Sequence, residues 1–305
     1  MTRVARRIER LAIIGLGLIG SSIARAVKEK LPDVMVTGHD ASSDVREVAR
    51  TLGLCDAVID DAVGAVAGAD LVILAVPVGG MAAAASAMAP GLAANAIISD
   101  VGSSKASVAE ALAGALPGHI VIPAHPVAGT ENSGPAAGFA SLFDGRWCII
   151  TPDAAAPADA VAALTCFWEA LGARVDVMDA AHHDMVLAVT SHLPHLIAYT
   201  IVGTASELEE VTESEVIKYS AGGFRDFTRI AASDPVMWRD VFLANREAVL
   251  ATLQRFNEDL TVLQQAIRRG DADKLEDWFT RTRAIRRSII AEGQDDAAPD
   301  FGRKH

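Results

Sequence analysis

Along the chain, hydrophobic positions change their rhythm once. In the first part, short apolar runs alternate with stretches whose apolar residues recur every three or four positions. Leu11–Ile14, Val34–Gly38, Leu71–Val76, Ile97–Ser99, Trp147–Thr151 and Arg174–Met178 read as strands, with Ser21–Lys30, Asp44–Leu52, Gly80–Met88, the segment up to Leu116, and Pro157–Leu171 as helices between them. Strands that alternate with helices need right-handed crossovers and so build a parallel sheet. From His182 onward the strand signals stop, and long helical patterns follow over Ala181–Ser206, Val211–Tyr219, Pro235–Arg269 and Asp271–Ile290. Asp234 and Pro235 open the third of these as N-cap and first helical residue. The expected architecture is an α/β domain over residues 1–180 and an all-helical domain over 181–305, with a disordered tail after about 292. Apolar stripes on helices this long find part of their core in a second copy, so a homodimer through the helical domain is expected.

The first apolar run ends in Gly15-Leu16-Gly17-Leu18-Ile19-Gly20 and passes directly into a helix, and the second strand ends at Asp40. That order of strand, glycine turn, helix, strand and acid is the one a Rossmann dinucleotide-binding domain needs. Gly15 and Gly17 allow the tight turn and the approach of a pyrophosphate to the helix N-terminus at Leu18 and Ile19, and Gly20 lets helix pack on strand. Asp40 is suited to the ribose hydroxyls and repels a 2′-phosphate; with no arginine among Ala41, Ser42 and Ser43, the cofactor expected is NAD rather than NADP. Val76 and Pro77, and Gly102 within Asp100–Ser103, fall at later strand ends and should border the same crevice.

Composition narrows the partners. The 305 residues carry a formal charge of −12 and 51% apolar residues, enough for two cored domains and opposed to nucleic acid or an anionic membrane as partner. Cys55, Cys148 and Cys166 are widely spaced and in apolar surroundings, so buried reduced thiols are expected. No cleavage pattern follows the basic N-terminus, and the apolar stretch Met185–Val202 is interrupted by His192, Pro194 and His195, so a cytoplasmic protein that binds a small molecule is expected.

His125 stands between Pro123 and Pro126 at the start of a stretch rich in small residues. Proline restricts both itself and its predecessor to extended backbone, which places this imidazole on a stiff connection suited to acid/base work. Ser191-His192-Leu193-Pro194-His195 puts two histidines on one helical face, kinked by the proline. No cysteine or carboxylate completes a metal set with His182, His183, His192 and His195, and none is expected. Gly222 and Gly223 break the helical pattern and deliver Arg225 and Arg229, forks suited to an acidic substrate.

Taken together, G-L-G-L-I-G, D-V-G-S-S-K, H-P-V-A-G-T-E-N-S-G, S-H-L-P-H and G-G-F-R-D-F-T-R-I-A-x-S-D-P-x-M-W resemble the prephenate/arogenate dehydrogenases of tyrosine biosynthesis, over about residues 10–290. The resemblance implies NAD-dependent oxidative decarboxylation of prephenate to 4-hydroxyphenylpyruvate, or of arogenate to tyrosine. It makes His125 the catalytic histidine and Ser103 its partner, with Ser104 adjacent and the choice between them open. His195 becomes a substrate-pocket histidine, Arg229 the arginine for the ring carboxylate, Glu131 a pocket acid, Trp238 a tryptophan near the dimeric active site, and Gly222 and Arg225 neighbours of the substrate. Arg225 stands where some relatives carry lysine. Two other classes share parts of this pattern. The β-hydroxyacid dehydrogenases take a lysine from the first long helix of their second domain, and no lysine occurs between Asp179 and Ser206. A non-catalytic nucleotide-binding module would have lost His125, His195 or Arg229, and all are present.

Overall fold

Leu11–Ile14 lies at the heart of a parallel sheet because all four residues are apolar and both faces of the strand are covered. The structure is a computed structural model, and it describes residues 6–130, 132–209 and 222–291. The strands are β1 (Arg10–Ile14), β2 (Met35–His39), β3 (Ala57–Val58), β4 (Leu71–Leu74), β5 (Ile97–Asp100) and β6 (Ile120–Val121), in the order β3-β2-β1-β4-β5-β6 with every pair parallel. The helices of this part are α1 (Leu18–Lys30), α2 (Ser43–Thr51), α3 (Ala62–Val66), α4 (Met81–Met88) and α5 (Ala106–Ala115). Successive strand residues face opposite sides, and two cores result. Leu11, Ile13, Leu71 and Ile73 pack with Ile23 and Val27 of α1, while Ala12, Ile14, Val72 and Leu74 pack with Met81 and Met88 of α4 and Val108 and Leu112 of α5.

The strand that carries His125 departs from the expected position. It is β7 (Ala124–Pro126), and it belongs to a second sheet with β8 (Trp147–Ile150) and β9 (Arg174–Val177). β7 runs antiparallel to β8, with His125 opposite Ile149, so the sheets are not all parallel as read from the alternation. Pairing at both ends replaces the loop foreseen around His125. The second sheet shares the first core through Cys148, Ile150, Phe143 and the fully buried Trp168 of α6 (Ala158–Ala170).

Beyond β9, Asp179 caps α7 (Ala180–Leu187) through the N–H groups of Ala181 and His182, and a π-helical turn over Ala188–His192 leads into α8 (Leu193–Glu209). The run Ala180–Leu208 is long and apolar enough, by length and composition alone, to cross a membrane, so it exceeds the interrupted stretch read from the sequence. Of its apolar window 22% is buried within the described residues, and the buried polar groups it carries, His183, Asp184 and His192, are all hydrogen-bonded. Gly222–Thr228 is helical, so the two glycines do not break the pattern there. Pro235–Arg269 is two helices, Pro235–Ala244 and Arg246–Arg269, separated at Asn245, and Asp234 caps the first through Met237 N–H. Ser42 caps α2, which begins one residue before the expected Asp44, and Cys166 is exposed while Cys55 and Cys148 are buried. The helix expected over Val211–Tyr219 and the tail after 292 lie outside the described residues. By compactness the chain divides into Met1–Val249 and Leu250–His305.

One ion pair joins the two sheets. Lys105 and Asp100 are both fully buried; the Lys105 ammonium donates to the Asp100 carboxylate and, at 2.8 Å, to the Ala124 carbonyl. Asp100 also accepts from Gly102 N–H at 2.7 Å and Ala124 N–H at 3.3 Å. The peptide before His125 is thus held from both sides by charged groups at the end of β5. Lys105→Met should lower stability by about 3–5 kcal/mol, the cost of stranding a buried carboxylate. In chemical denaturation the Asp100→Leu/Lys105→Met double variant should lose less than either single change.

Candidate active site

The glycine turn follows β1 as expected. Gly15 takes a φ of 101°, and a Cβ there would meet the Ala75 carbonyl oxygen at 2.5 Å; a Cβ on Gly20 would meet the Gly15 oxygen at 1.9 Å. Nothing lies within 4 Å of where a Cβ on Gly17 would stand, and Gly17 caps α1 without a side-chain bond. The half-buried N–H groups at Gly17, Leu18 and Ile19 therefore open a helix N-terminus suited to a phosphate. Asp40 accepts from Leu16 N–H and from Ser42 N–H, each at 2.9 Å, which fixes its charge beside the turn. Arg46, which the sequence reading passed over, donates to the backbone carbonyls of Asp40 and Ala41 and is tied to Asp60. Val76 and Pro77 follow β4, the neighbour of β1, and Gly102 follows β5, the next strand out, each at a strand's carboxyl end.

His125 is 7% exposed, and its Nδ1 lies 2.9 Å from His183 Nε2 on α7. His183 Nδ1 in turn lies 2.9 Å from Asp184 Oδ1. Asp184 accepts from the backbone N–H groups of Lys105 and Ala106 at 2.7 and 3.0 Å, so it also caps the start of α5. Among the described residues His125 Nε2 has no hydrogen-bond partner. Burial first, and then the electrostatic influence of the nearby His183, Lys105 and His192 side chains, push the His125 pKa well below the ordinary imidazole value. Burial raises the Asp184 pKa, but the bonds from His183, Lys105 and Ala106 outweigh it and leave the carboxyl below its usual range. Neither Ser103, which is half-buried, nor Ser104, whose buried hydroxyl lacks a partner, bonds to His125.

A second group of rings sits on the helices. Asn245 donates to the Asp184 carbonyl at 2.7 Å and to His192 Nδ1 at 3.1 Å. His192 packs edge-on against buried Trp238, and Trp238 stacks on His195 with centroids 3.6 Å apart and planes at 24°. His195 Nδ1 donates to the Ser191 carbonyl at 2.9 Å; burial lowers its pKa, and the Arg229 charge adds to that. Arg229 is exposed, as are Arg225 and Gly222 on the helix Gly222–Thr228 that packs on α8. The helix bearing Trp238 comes so close to Gly79 that a Cβ there would meet the Asp240 carboxylate at 2.6 Å. Glu131 lies outside the described residues. Among the described residues no three His, Cys, Asp or Glu gather in an arrangement that would hold a metal ion.

Sequence models of two adjoining domains match the chain: prephenate dehydrogenase, nucleotide-binding domain, over residues 23–177, and prephenate dehydrogenase, dimerization domain, over 179–281. The chain belongs to the prephenate dehydrogenase family. A cyclohexadienyl dehydrogenase of Zymomonas mobilis is 50% identical, over 92% of this chain and 96% of its own length. A prephenate dehydrogenase of Bacillus subtilis is 32% identical over 96% of this chain and 79% of its own. The structure of prephenate dehydrogenase from Aquifex aeolicus, in complex with hydroxyphenyl propionate and NAD+, has a TM-score of 0.87 and 31% identity, over 93% of this chain and 99% of that one.

Within this family fold, the residues missed from sequence are those behind His125: Lys105, His183, Asp184 and Asn245. In sequence His183 stands out only as a candidate metal ligand. The available signal was the H-H-D run at 182–184, polar residues at the start of an otherwise apolar helix. Burial also governs the response to acid. It lowers the His192 pKa from 6.5 to about 4, so between those values the unfolded chain binds a proton that the folded chain refuses. Stability should therefore fall as pH falls through this window, by on the order of 3 kcal/mol for a fully buried imidazole. Thermal unfolding of the parent and of His192→Gln checks this, the variant being expected to show the shallower decline.

Proposed function

We propose that the chain catalyses NAD-dependent oxidative decarboxylation of prephenate to 4-hydroxyphenylpyruvate, of arogenate to tyrosine, or of both, in tyrosine biosynthesis. The observation that carries the reading is His125: a buried, neutral imidazole with Nδ1 engaged and Nε2 unpartnered, in a chain of this family. The glycine turn fits a dinucleotide, since Gly17 leaves space where a side chain would fill it and the helix N–H groups lack a side-chain cap. Gly15, Gly17, Leu18, Ile19, Gly20, Asp40, Val76, Pro77 and Gly102 are the residues proposed to hold NAD. When bound, NAD supplies the hydride acceptor. The chain's own part is proton handling and orientation. His125 Nε2 takes the proton of the ring hydroxyl as the alcohol carbon is oxidised; the bond to the ring carboxylate then breaks, its electron pair aromatises the ring, and His125 returns the proton to the phenolate oxygen. Arg229 orients the ring carboxylate without holding it so firmly that its departure is opposed. His195, stacked on Trp238, lines the substrate side, with Ser103, Glu131, Gly222 and Arg225 in supporting contacts.

The proposed division is a nucleotide-binding domain to about residue 180 and a helical dimerisation domain beyond it. Exposed Leu250, Leu260, Ile267, Phe279 and Ile285 support a homodimer through the helical part. The enzyme is proposed to be cytoplasmic, where its three free thiols stay reduced, and the formal charge of −12 weighs against nucleic acid or a membrane surface as partner.

Assays of purified protein with prephenate and arogenate in parallel, each with NAD and NADP, test the reading; turnover of neither substrate would end it. NAD should be preferred, and equal efficiency with NADP would remove Asp40 as the discriminator. His125→Asn should reduce kcat by about 10²- to 10⁴-fold with little change in substrate binding. Arg229→Ala should instead raise KM for the substrate. Because protonation disables the base, the acid limb of kcat/KM should lie below the ordinary imidazole pKa.

A further inference from the structure

We propose that His183 and Asp184 are positioning residues that fix the tautomer of His125, so that Nε2 always presents the lone pair that takes the substrate proton. The inference rests on the reading of His125 as proton acceptor. A neutral imidazole has one N–H and one lone pair, and the bond made by one nitrogen decides what the other can do. An ionised carboxylate only accepts, so the 2.9 Å contact between Asp184 Oδ1 and His183 Nδ1 puts a proton on that nitrogen. With a single ring proton, placed there by Asp184, His183 has its lone pair on Nε2, which lies 2.9 Å from His125 Nδ1. His125 must donate there, and its own lone pair is left on Nε2. Reversing any one proton in this chain sets two donors or two lone pairs against each other.

The anchor of the chain is itself immobile. Asp184 is held by two backbone N–H groups at the start of α5, and one of them belongs to Lys105, whose ammonium holds the Ala124 carbonyl next to His125. The ring of His125 and the peptide before it are thus positioned from the same point. The charged and titratable groups facing His125 are His183 from α7, His192 from the π-helical turn and Lys105 from the segment between β5 and α5. None of the other two offers Nδ1 a hydrogen bond, and the partner serine expected from sequence does not bond it either.

The test is nitrogen-15 NMR of the full-length protein labelled at histidine, with the His125 signals assigned through His125→Asn and read at mildly alkaline pH. In the parent, His125 should carry its proton on Nδ1; a proton on Nε2 overturns the proposal without recourse to any position-183 variant. His183→Leu removes the acceptor and should give mixed tautomers, with kcat for prephenate lowered by roughly 10- to 100-fold while KM for prephenate and NAD changes by less than about twofold. His183→Gln, whose side-chain oxygen can accept from Nδ1–H, should restore the tautomer and most of the turnover. Parent-like tautomer and kcat in His183→Leu, or equal impairment in the leucine and glutamine variants, would falsify the assignment. A parent protein with the Nδ1–H tautomer that turns over neither prephenate nor arogenate would instead overturn the functional reading and leave the positioning intact.

Discussion

The architecture depends on a charge pair placed where water cannot reach. Lys105 and Asp100 close the end of β5 and grip both sides of the Ala124 peptide, so they tie the six-stranded parallel sheet to the smaller sheet that bears His125. Buried ion pairs repay their desolvation only when every remaining donor and acceptor is used. Here the carboxylate has the ammonium and two backbone N–H groups, while the ammonium uses two of its three donors, on the carboxylate and on a carbonyl. An apolar pair of equal volume would fill the space without specifying the position of the Ala124 peptide. Directionality, more than net stability, is what such a pair contributes at a site that requires sub-ångström placement.

Burial gives the neighbouring imidazoles different duties. His125 and His192 are both driven toward the neutral form, and both are hydrogen-bonded through Nδ1, but to opposite kinds of partner. The Asn245 amide donates to His192, which leaves the proton of that ring on Nε2, whereas His183 accepts from His125 in the arrangement derived above. Two histidines in one pocket are thereby poised as a donor and an acceptor. His195, half-covered by Trp238 and close to the Arg229 charge, completes a gradient from the buried His125 to the exposed arginine.

Much of this was legible in sequence because the signals are local. The glycine spacing, the apolar runs at β1, β4 and β5, and Asp40 at the end of β2 report short-range geometry, and each lies where the pattern puts it. The shortest strands were less legible. β3, β6 and β7 are two or three residues long, too short to show alternation, and β7 forms through pairing with β8, which lies more than twenty residues further on. The break at Asn245 was invisible for a similar reason: nothing in its neighbours disfavours a helix, and its amide finds its partners on α7 and the π-helical turn. Lys105 looked like an ordinary residue in the first turn of a helix. Only the two sheets meeting above it make it buried.

The π-helical turn over Ala188–His192 gives the long apolar helix an arithmetic of its own. A regular α-helix advances about 100° per residue, so nine positions, the interval from His183 to His192, amount to two and a half turns and would place the two side chains on opposite faces. The wider turn rotates less per residue, and Asn245 can reach both the Asp184 carbonyl and the His192 ring. Pro194, which lacks an N–H, follows just where the irregular ladder ends. The segment therefore absorbs one residue: eight positions of a regular helix would bring the two side chains to within about 80° of each other, and the wider turn accommodates the ninth while Asn245 still reaches both places.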